Sequence, residues 1–410
     1  TSSFESDSEM LNWLYDAYIR TQLSNMHSGV PSDCPHIERL GYTGDGQLCC
    51  EAAMMLLDSQ KFYKKWLEDI SDCQSIGNGH VQHTAPFMGG GGGPAGWGGA
   101  IAVVPYEMYK IYGDKETFRR YLPKILRYFD YLDSRSYGGL VCREEEGGWC
   151  LGDWCPPEQI TICEPFVNTA LYVKQMMMTK EASEAIGESK TAAMLEKRIE
   201  EKKQAILNAY YSPQTGSFIG DAQGANSFAV DIGLGGERAF NNTKRKYDAA
   251  DAFDTGIFGT DILTRVLFER GCADTAFHLL TSTGKGSFYN MKKQGATTIW
   301  ENWDGERSHS HPMFGAVTRY LFSFILGITQ EKNSAGYEKI VIAPQIPDGL
   351  NRASGHITTV RGEIAVSFIR TEREMDFYVT VPQKAWFTYG SDCEYELWEG
   401  ENHIHIDFEE

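Results

Sequence analysis

Through the first 330 or so positions of the chain, apolar residues recur at intervals of three and four. In "SEMLNWLYDAYIRTQLSN" (8–25), Met10, Trp13, Leu14, Ala17 and Tyr18 fall on one helical face. The same spacing predicts helices over 47–60, 61–72, 100–113, 115–134, 165–183, 190–211, 257–271, 273–282 and 311–327. Gly, Pro and Asp separate them, and several of the connections are long, Gly-rich and aromatic. Loops of that kind carry function on a rigid scaffold.

Near residue 332 the period changes. From "YEKIVIAPQI" through "HITTVRGEIAVSFIRTEREMDFYVTVPQKAWFTY" to "HIHIDF", short β-branched and aromatic runs alternate with polar residues. Period two of this kind predicts an antiparallel β-sandwich, with "RTERE" as one of its hairpin turns. Helices packed as hairpins and followed by a sandwich suggest a mainly α chain: an (α/α)6 barrel over 1–331, then a small C-terminal sandwich over 332–410. A chain of 410 residues is too long for one ordinary core, which agrees with two units.

Composition narrows the function. With 42% hydrophobic and 23% charged residues the chain is an ordinary globular protein. Its net charge of −18, without a basic run, argues against nucleic acid or an anionic membrane as partner. No apolar run reaches the roughly 20 residues of a membrane helix. The opening "TSSFESDSEM" is polar and acidic, unlike a signal peptide, and the chain is expected to begin at its first helix. Ten cysteines are too sparse for a disulfide scaffold. Cys49 and Cys50 read as buried thiols, and a reducing, cytoplasmic location is favoured unless a leader for export has been removed. Cys142, Cys150, Cys155 and Cys163 cluster without tight CxxC or histidine spacing, so neither metal nor cofactor is expected. Oligomeric state is not legible.

Two acidic segments carry the candidate chemistry. "DCPHIERLGYTGDGQ" (33–47) places Asp33, Glu38, Arg39 and Asp45 where Pro35 and Gly41 break regular structure. Simple structural roles are open to each: a turn seed for Asp33, an ion pair between Glu38 and Arg39, a helix N-cap for Asp45. "TTIWENWDGERSHSHPMFG" (297–315) sets Glu301 between Trp300 and Trp303, with Asp304, His309 and His311 behind. Apolar rings raise a carboxyl pKa and a nearby cation lowers it, so such a glutamate is a functional candidate, although a glutamate in a tryptophan-lined turn of the core is the bland alternative. Between the two lie "GHVQHTAPFMGGGGGPAGWGGA" (79–100), with Trp97, and "EEEGGWCLGDWCPPE" (144–158), with Trp149, Asp153 and Trp154. The five glycines lack the Lys-Ser/Thr of a phosphate cradle and read as a flexible or close-packed rim. Two carboxylates on separate loops within aromatic walls are the parts that glycoside hydrolysis needs.

The first segment resembles the signature of the α-L-rhamnosidases of glycoside hydrolase family 78. "TTIWENWDG…SHSHPMFGAV", "LGDW" and "YEKIVIAPQ" are similar to later segments of that family, in the same order along the chain. The resemblance implies an (α/α)6 barrel, a C-terminal sandwich and an inverting exo-glycosidase that removes terminal α-L-rhamnose or a close relative. It implies Glu38 as general acid and Glu301 as general base. It further implies that Asp33 and Asp45 bind sugar hydroxyls, that His311 contacts the sugar, and that Tyr42, Trp97 and Trp154 form its walls. Arg39, Asp153 and Trp300 complete the expected substrate-contacting set. Ile37, Tyr42 and Gly99 depart from the family pattern, which usually has arginine, tryptophan and aspartate there. The rivals are a polysaccharide lyase or uronic-acid-directed hydrolase on the same toroid, and a carbohydrate-binding protein with weak catalysis. The partner in each case is a carbohydrate.

Overall fold

The computed structural model describes residues 1–390 and 393–408, so 391–392 and 409–410 of the expected sandwich segment lie outside the described residues. Eleven helices and one irregular helical stretch are arranged as six hairpins. In order they are α1 (Glu9–Ser24), α2 (Thr43–Leu56), α3 (Gln60–Asp72), α4 (Ala100–Tyr112), α5 (Lys115–Ser134), α6 (Glu164–Ala185), α7 (Ser189–Tyr210), α8 (Ala225–Asp231), α9 (Gly236–Asp248), α10 (Ile257–Glu269) and α11 (Ala273–Thr281). The twelfth place is taken by a 3₁₀ turn at Met313–Thr318 followed by a π turn at Leu321–Ile325. A further short helix, α12 (Phe288–Lys293), lies in the connection before it.

Local chemistry sets the ends of these helices. Ser8 caps α1 by accepting the Leu11 N–H, and Asp114 caps α5 by accepting the Thr117 N–H. Gly113, left-handed at φ 71°, ends α4 one residue before that cap. Two adjacent residues thus close one helix and open the next.

Burial separates an inner from an outer ring. In α5 the buried Phe118, Tyr121, Leu122, Ile125, Phe129 and Leu132 form a single stripe, as expected of a helix with one wet face. In α10 every residue from Ile257 to Thr264 is buried, which marks a helix surrounded by protein. The inner elements touch in a closed cycle: α2 on α4, α4 on α6, α6 on α8, α8 on α10, α10 on the Met313–Thr318 turn, and that turn back on α2. This is the expected (α/α)6 barrel. Its closure brings residues 43–56 and 313–325 side by side.

The structure differs from the sequence expectation at several places, the short α12 among them. Helices α8 and α9 escaped it because Gly224, Gly233, Gly235 and Gly236 interrupt the period, and α8 has only seven residues. The segment 311–327 is not one α-helix. The guanidinium of Arg319 donates to the Ala316 carbonyl at 2.7 Å in the span where the turns tighten and then widen. The chain also does not begin with its first helix, because Ser2–Ser6 forms a strand, β1.

β1 belongs to the C-terminal sandwich. The other strands are β2 (Ile328–Gln330), β3 (Ile340–Ile342), β4 (Arg352–Thr359), β5 (Gly362–Arg370), β6 (Glu374–Val381), β7 (Ala385–Tyr389), β8 (Cys393–Leu397) and β9 (Gly400–Asp407). One sheet runs β1-β4-β5-β6-β9 and is antiparallel throughout. The other runs β8-β7-β3-β2 and holds one parallel pair, β7 with β3. Alternating Ile364, Val366 and Phe368 face inward from β5, as do Met375, Phe377, Val379 and Val381 from β6. Phe4 of β1 packs on Phe322 of the π turn, centroids 5.8 Å apart, so the sandwich sits against the closure of the barrel.

The closure is held by charge as well as packing. Two nitrogens of the buried Arg319 meet both oxygens of Asp261 in α10, at 2.8 and 2.9 Å. Asp261→Ala removes the two-oxygen partner of that buried guanidinium and leaves it only the Ala316 carbonyl and Glu51, whose Oε2 lies 2.8 Å from its Nε. Loss of one partner from a buried pair costs about 3–5 kcal/mol. Denaturant unfolding of the variant is expected to show a loss of that size, and a change under about 1 kcal/mol, within the range of exposed pairs, would remove Arg319 from the account of ring closure.

Candidate active site

The loops that precede inner elements converge at one end of the barrel around a cavity of about 240 Å³. Asp33, Glu38, Tyr42 and Asp45 line it from the first loop and the start of α2. Gly91 and Trp97 come from the loop before α4, and Trp149, Leu151 and Trp154 from the loop before α6. Glu301, Arg307, His311 and Met313 come from the last loop.

Each segment has its own clamp. The Asp33 N–H donates to the Leu40 carbonyl at 2.9 Å, and the Leu40 N–H donates back to Asp33 Oδ1 at 2.8 Å. This closes residues 33–40 into a compact loop that holds Glu38 toward the cavity. Burial first, then the charge of Asp45, raises the pKa of Asp33 above its ordinary value. Burial, and after it Glu38, likewise holds Tyr42 as a neutral phenol. The Thr43 N–H donates to the His83 carbonyl at 2.8 Å and Ala85 N–H to Gly41 O at 2.9 Å, which tie the start of α2 to the Gly-rich loop.

The five-glycine run is the close-packed rim rather than a flexible one. A Cβ on Gly91 would stand 2.0 Å from the Trp149 ring, and one on Gly44 would stand 2.6 Å from the Trp97 ring. The tryptophans lie flush on backbone, and only glycine leaves room for them.

The last loop supplies the second carboxylate. Glu301 is buried; its N–H donates to the Ser308 carbonyl at 2.8 Å, and its Oε2 accepts the Ser308 N–H at 3.2 Å. Arg307 lies between the two glutamates, with Nε 3.0 Å from Glu301 Oε1 and a terminal nitrogen 3.2 Å from Glu38 Oε1. One planar fork therefore reaches both carboxylates, and both face the same cavity. His311 Nε2 is 2.5 Å from Asp45 Oδ1. Its other nitrogen, Nδ1, stands 3.8 Å from Glu301 Oε2 without a hydrogen-bond partner among the described residues.

Of the residues singled out in the sequence, Asp33, Glu38, Tyr42, Asp45, Trp97, Trp154, Glu301 and His311 line this cavity. Asp45 is inside the first turn of α2 and faces His311; the N-cap position is Tyr42. Asp153, Trp300, Trp303 and Arg39 do not line it. Asp153 is buried, and its carboxylate accepts the N–H groups of Gly256, Phe258 and Gly259 at 2.7, 2.9 and 3.0 Å. It anchors the start of α10 and has no oxygen left facing a sugar. Trp300 stacks on His309, centroids 4.2 Å apart, and fills the back of the Glu301 loop. Trp303 packs on Phe253 and Phe314 in the core. Arg39, at φ 56°, is exposed, and the cation that meets Glu38 is Arg307 instead.

The sequence reading missed Arg307, Leu151 and Met313 as lining residues and did not count Trp149 among the sugar contacts. A signal for Arg307 was present: it is the arginine of the irregular loop that carries Glu301. Two of the family departures lie outside the cavity. Ile37 is solvent-exposed, and a Cβ on Gly99 would run into Gln175 and the Ala95 carbonyl. All ten cysteines are free, Cys49 and Cys50 are buried, and among the described residues no cysteine joins a group spaced for a metal. No helix among the described residues is long and apolar enough to cross a membrane.

A six-hairpin barrel with a carboxylate pair in an aromatic pocket at the rim of its inner ring is the architecture of a six-hairpin glycosidase. Residues 1–325 match the bacterial α-L-rhamnosidase 6-hairpin glycosidase domain, and residues 327–387 match the bacterial α-L-rhamnosidase C-terminal domain. The chain belongs to the bacterial α-L-rhamnosidase family, glycoside hydrolase family 78. It is 30% identical over 384 residues to an α-L-rhamnosidase of Streptomyces avermitilis, covering 89% of this chain and 35% of that protein. It is 26% identical over 420 residues to one of Formosa agariphila, covering 93% of this chain and 43% of that protein. The solved structure of the Streptomyces avermitilis α-L-rhamnosidase complexed with L-rhamnose superposes with a TM-score of 0.89 at 26% identity, covering 99% of this chain and 42% of that one. The chain thus spans less than half the length of these relatives.

Burial alone would strip the proton from His311. Asp45 first, then Glu301 and Asp33, outweigh it and raise the imidazole pKa above its ordinary value. A histidine raised in the fold contributes stability that is complete below the unfolded pKa of about 6.5 and is lost as pH rises through the folded value. His311→Gln is expected to lower the melting temperature most at or below about pH 6.5 and to flatten its decline above that pH. Parallel curves for the two proteins would show that His311 is not charged in the fold.

Proposed function

We propose that this chain hydrolyses terminal α-L-rhamnosyl linkages, or those of a closely related 6-deoxy sugar, with inversion at the anomeric carbon. The observation that carries the reading is the single cavity onto which Glu38 and Glu301 open, with Arg307 reaching both. At about 240 Å³ the space is below the roughly 300–1,000 Å³ usual for drug-sized ligands, which suits one sugar ring. Trp97, Trp149 and Trp154 offer apolar faces to that ring, and Leu151 and Met313 are the aliphatic wall for the methyl of a 6-deoxy sugar.

In this reading Glu38 is the general acid. It lies on the more open side of the site, where the leaving group departs, and it gives its proton to the glycosidic oxygen as the C1–O bond breaks. A sugar that enters between the carboxylates takes the place of Arg307 beside Glu38 and leaves that carboxyl free to hold a proton. Glu301, buried and fixed by the Ser308 N–H, is the general base. It takes one proton from a water whose oxygen attacks C1 on the opposite face, so the products are a free sugar and an alcohol. Asp33, Asp45 and the unpartnered Nδ1 of His311 are the groups that hold hydroxyls.

Arg307 also bears on the uronate alternative, since a lyase needs a cation to neutralise the carboxylate of its substrate. That guanidinium is already engaged by two carboxylates, and the aliphatic wall favours a methyl over a second anion. A 4-linked uronate oligosaccharide, followed by the absorbance of an unsaturated product, tests the lyase, and an aryl glucuronide beside an aryl rhamnoside tests the uronate hydrolase.

The test uses the 410-residue chain itself. Glu38→Gln and Glu301→Gln are each expected to lower kcat/KM on an alkyl α-L-rhamnoside by about 10²–10⁴-fold with the fold intact. With an aryl rhamnoside whose phenol is acidic, the Glu38→Gln loss shrinks and the Glu301→Gln loss does not, because only the former supplies the leaving-group proton. Equal losses on both substrates would overturn the assignment of roles, and an inactive parent chain would overturn the proposal for this span.

A further inference from the structure

Away from the sugar cavity, His80, His83 and Glu144 bring three ligand atoms within 4.8 Å of one another, and all three residues are buried. His80 Nε2 is 3.3 Å from Glu144 Oε1 and His83 Nε2 is 3.0 Å from Oε2. His83 and Glu144 form a hydrogen bond. His80 Nε2 does not: it is buried, it stands beside the same carboxylate, and it has no hydrogen-bond partner. Its approach to within 3.3 Å of the carboxylate, without the geometry of a good hydrogen bond, is also the approach of two atoms that share one ion.

We propose that these three residues are a zinc site. Zinc takes imidazole nitrogen at about 2.0–2.1 Å and carboxylate oxygen at about 2.0–2.2 Å, so neighbouring ligands around one tetrahedral ion stand roughly 3.3 Å apart. His80 Nε2 and His83 Nε2 stand 3.3 and 3.0 Å from Oε1 and Oε2 of Glu144, separations of that size in which the carboxylate presents one oxygen to each imidazole. Two imidazoles with one carboxylate suit zinc and its neighbours in the first transition row rather than calcium or magnesium, which prefer all-oxygen sets. The Tyr131 hydroxyl donates to Glu144 Oε1 and so orients that carboxylate.

The position gives the ion a structural task. His80 and His83 lie in the loop before α4, which continues through Gly91 to Trp97, and Glu144 lies in the loop before α6, which continues to Trp149 and Leu151. The two loops also meet where Asn78 Nδ2 donates to Glu145 Oε1 at 2.9 Å and, nearer the sugar cavity, where the Leu151 N–H donates to the Gly92 carbonyl at 3.1 Å. Zinc would staple the two walls of the sugar cavity at a further point.

The test is metal content and thermal stability of the tag-free chain, with His80→Gln and His83→Gln as variants. Glutamine keeps a hydrogen-bonding end toward Glu144, so a purely polar cluster survives either change. We expect one tightly held zinc per chain and a melting temperature that falls on chelation and recovers with Zn²⁺ alone. Co²⁺ in its place should give the intense visible absorption of a tetrahedral ion. Each variant should lose zinc affinity by more than roughly tenfold. The exposed group Glu374, His405 and Asp407 is untouched by both changes. Zinc content and zinc-dependent melting that are the same in the parent and both variants, or a parent that binds no zinc, would overturn the site.

Discussion

Asp45 and His311 are 266 positions apart and meet at 2.5 Å, and the candidate site depends on that meeting. It exists because the barrel closes: the last inner element returns to the side of α2, the first. Closure has to bring polar groups into a dry interior, and it does so in pairs. Arg319 with Asp261 joins the last inner element to α10, and His311 with Asp45 joins the last loop to α2. Buried charges persist in this way only when paired and hydrogen-bonded. The same pairing brings the last loop, with Glu301, to the cavity that Glu38 also lines.

The rest of the site is organised by close approach. Indole rings lie on glycine backbone at Gly44, Gly91 and Gly92, so the aromatic walls have little freedom to move. Arg307, half exposed and on an irregular loop at φ 65°, sits beside these walls and pairs with both glutamates.

Much of this was legible in the sequence, for identifiable reasons. The outer helices and the sandwich strands carry clean periods, and the loops with clustered carboxylates and tryptophans stood out because they carry none. The failures also have causes. Helices α8 and α9 are interrupted by glycine, and β1 is a short polar edge whose partner, β4, lies some 350 positions away. Asp153 resembled a site residue because a buried carboxylate that serves a distant helix N-terminus has the same local signature as one that serves a ligand. Trp300 resembled a sugar contact, but it stacks on His309. Arg307 was overlooked because an arginine among surface-type residues gives no sign that two carboxylates from opposite ends of the chain will close on it.

The central claim is that two remote carboxylates act on opposite faces of one sugar, the first on the leaving oxygen and the second on a water. The stereochemistry of the first turnover tests this most directly. Proton NMR of the chain acting on an aryl α-L-rhamnoside, recorded before mutarotation, should show β-L-rhamnose first, as expected when carboxylates about 6.5–9.5 Å apart admit a water between them. Initial release of the α anomer would mean that a carboxylate, not water, attacks the sugar, and would contradict the account.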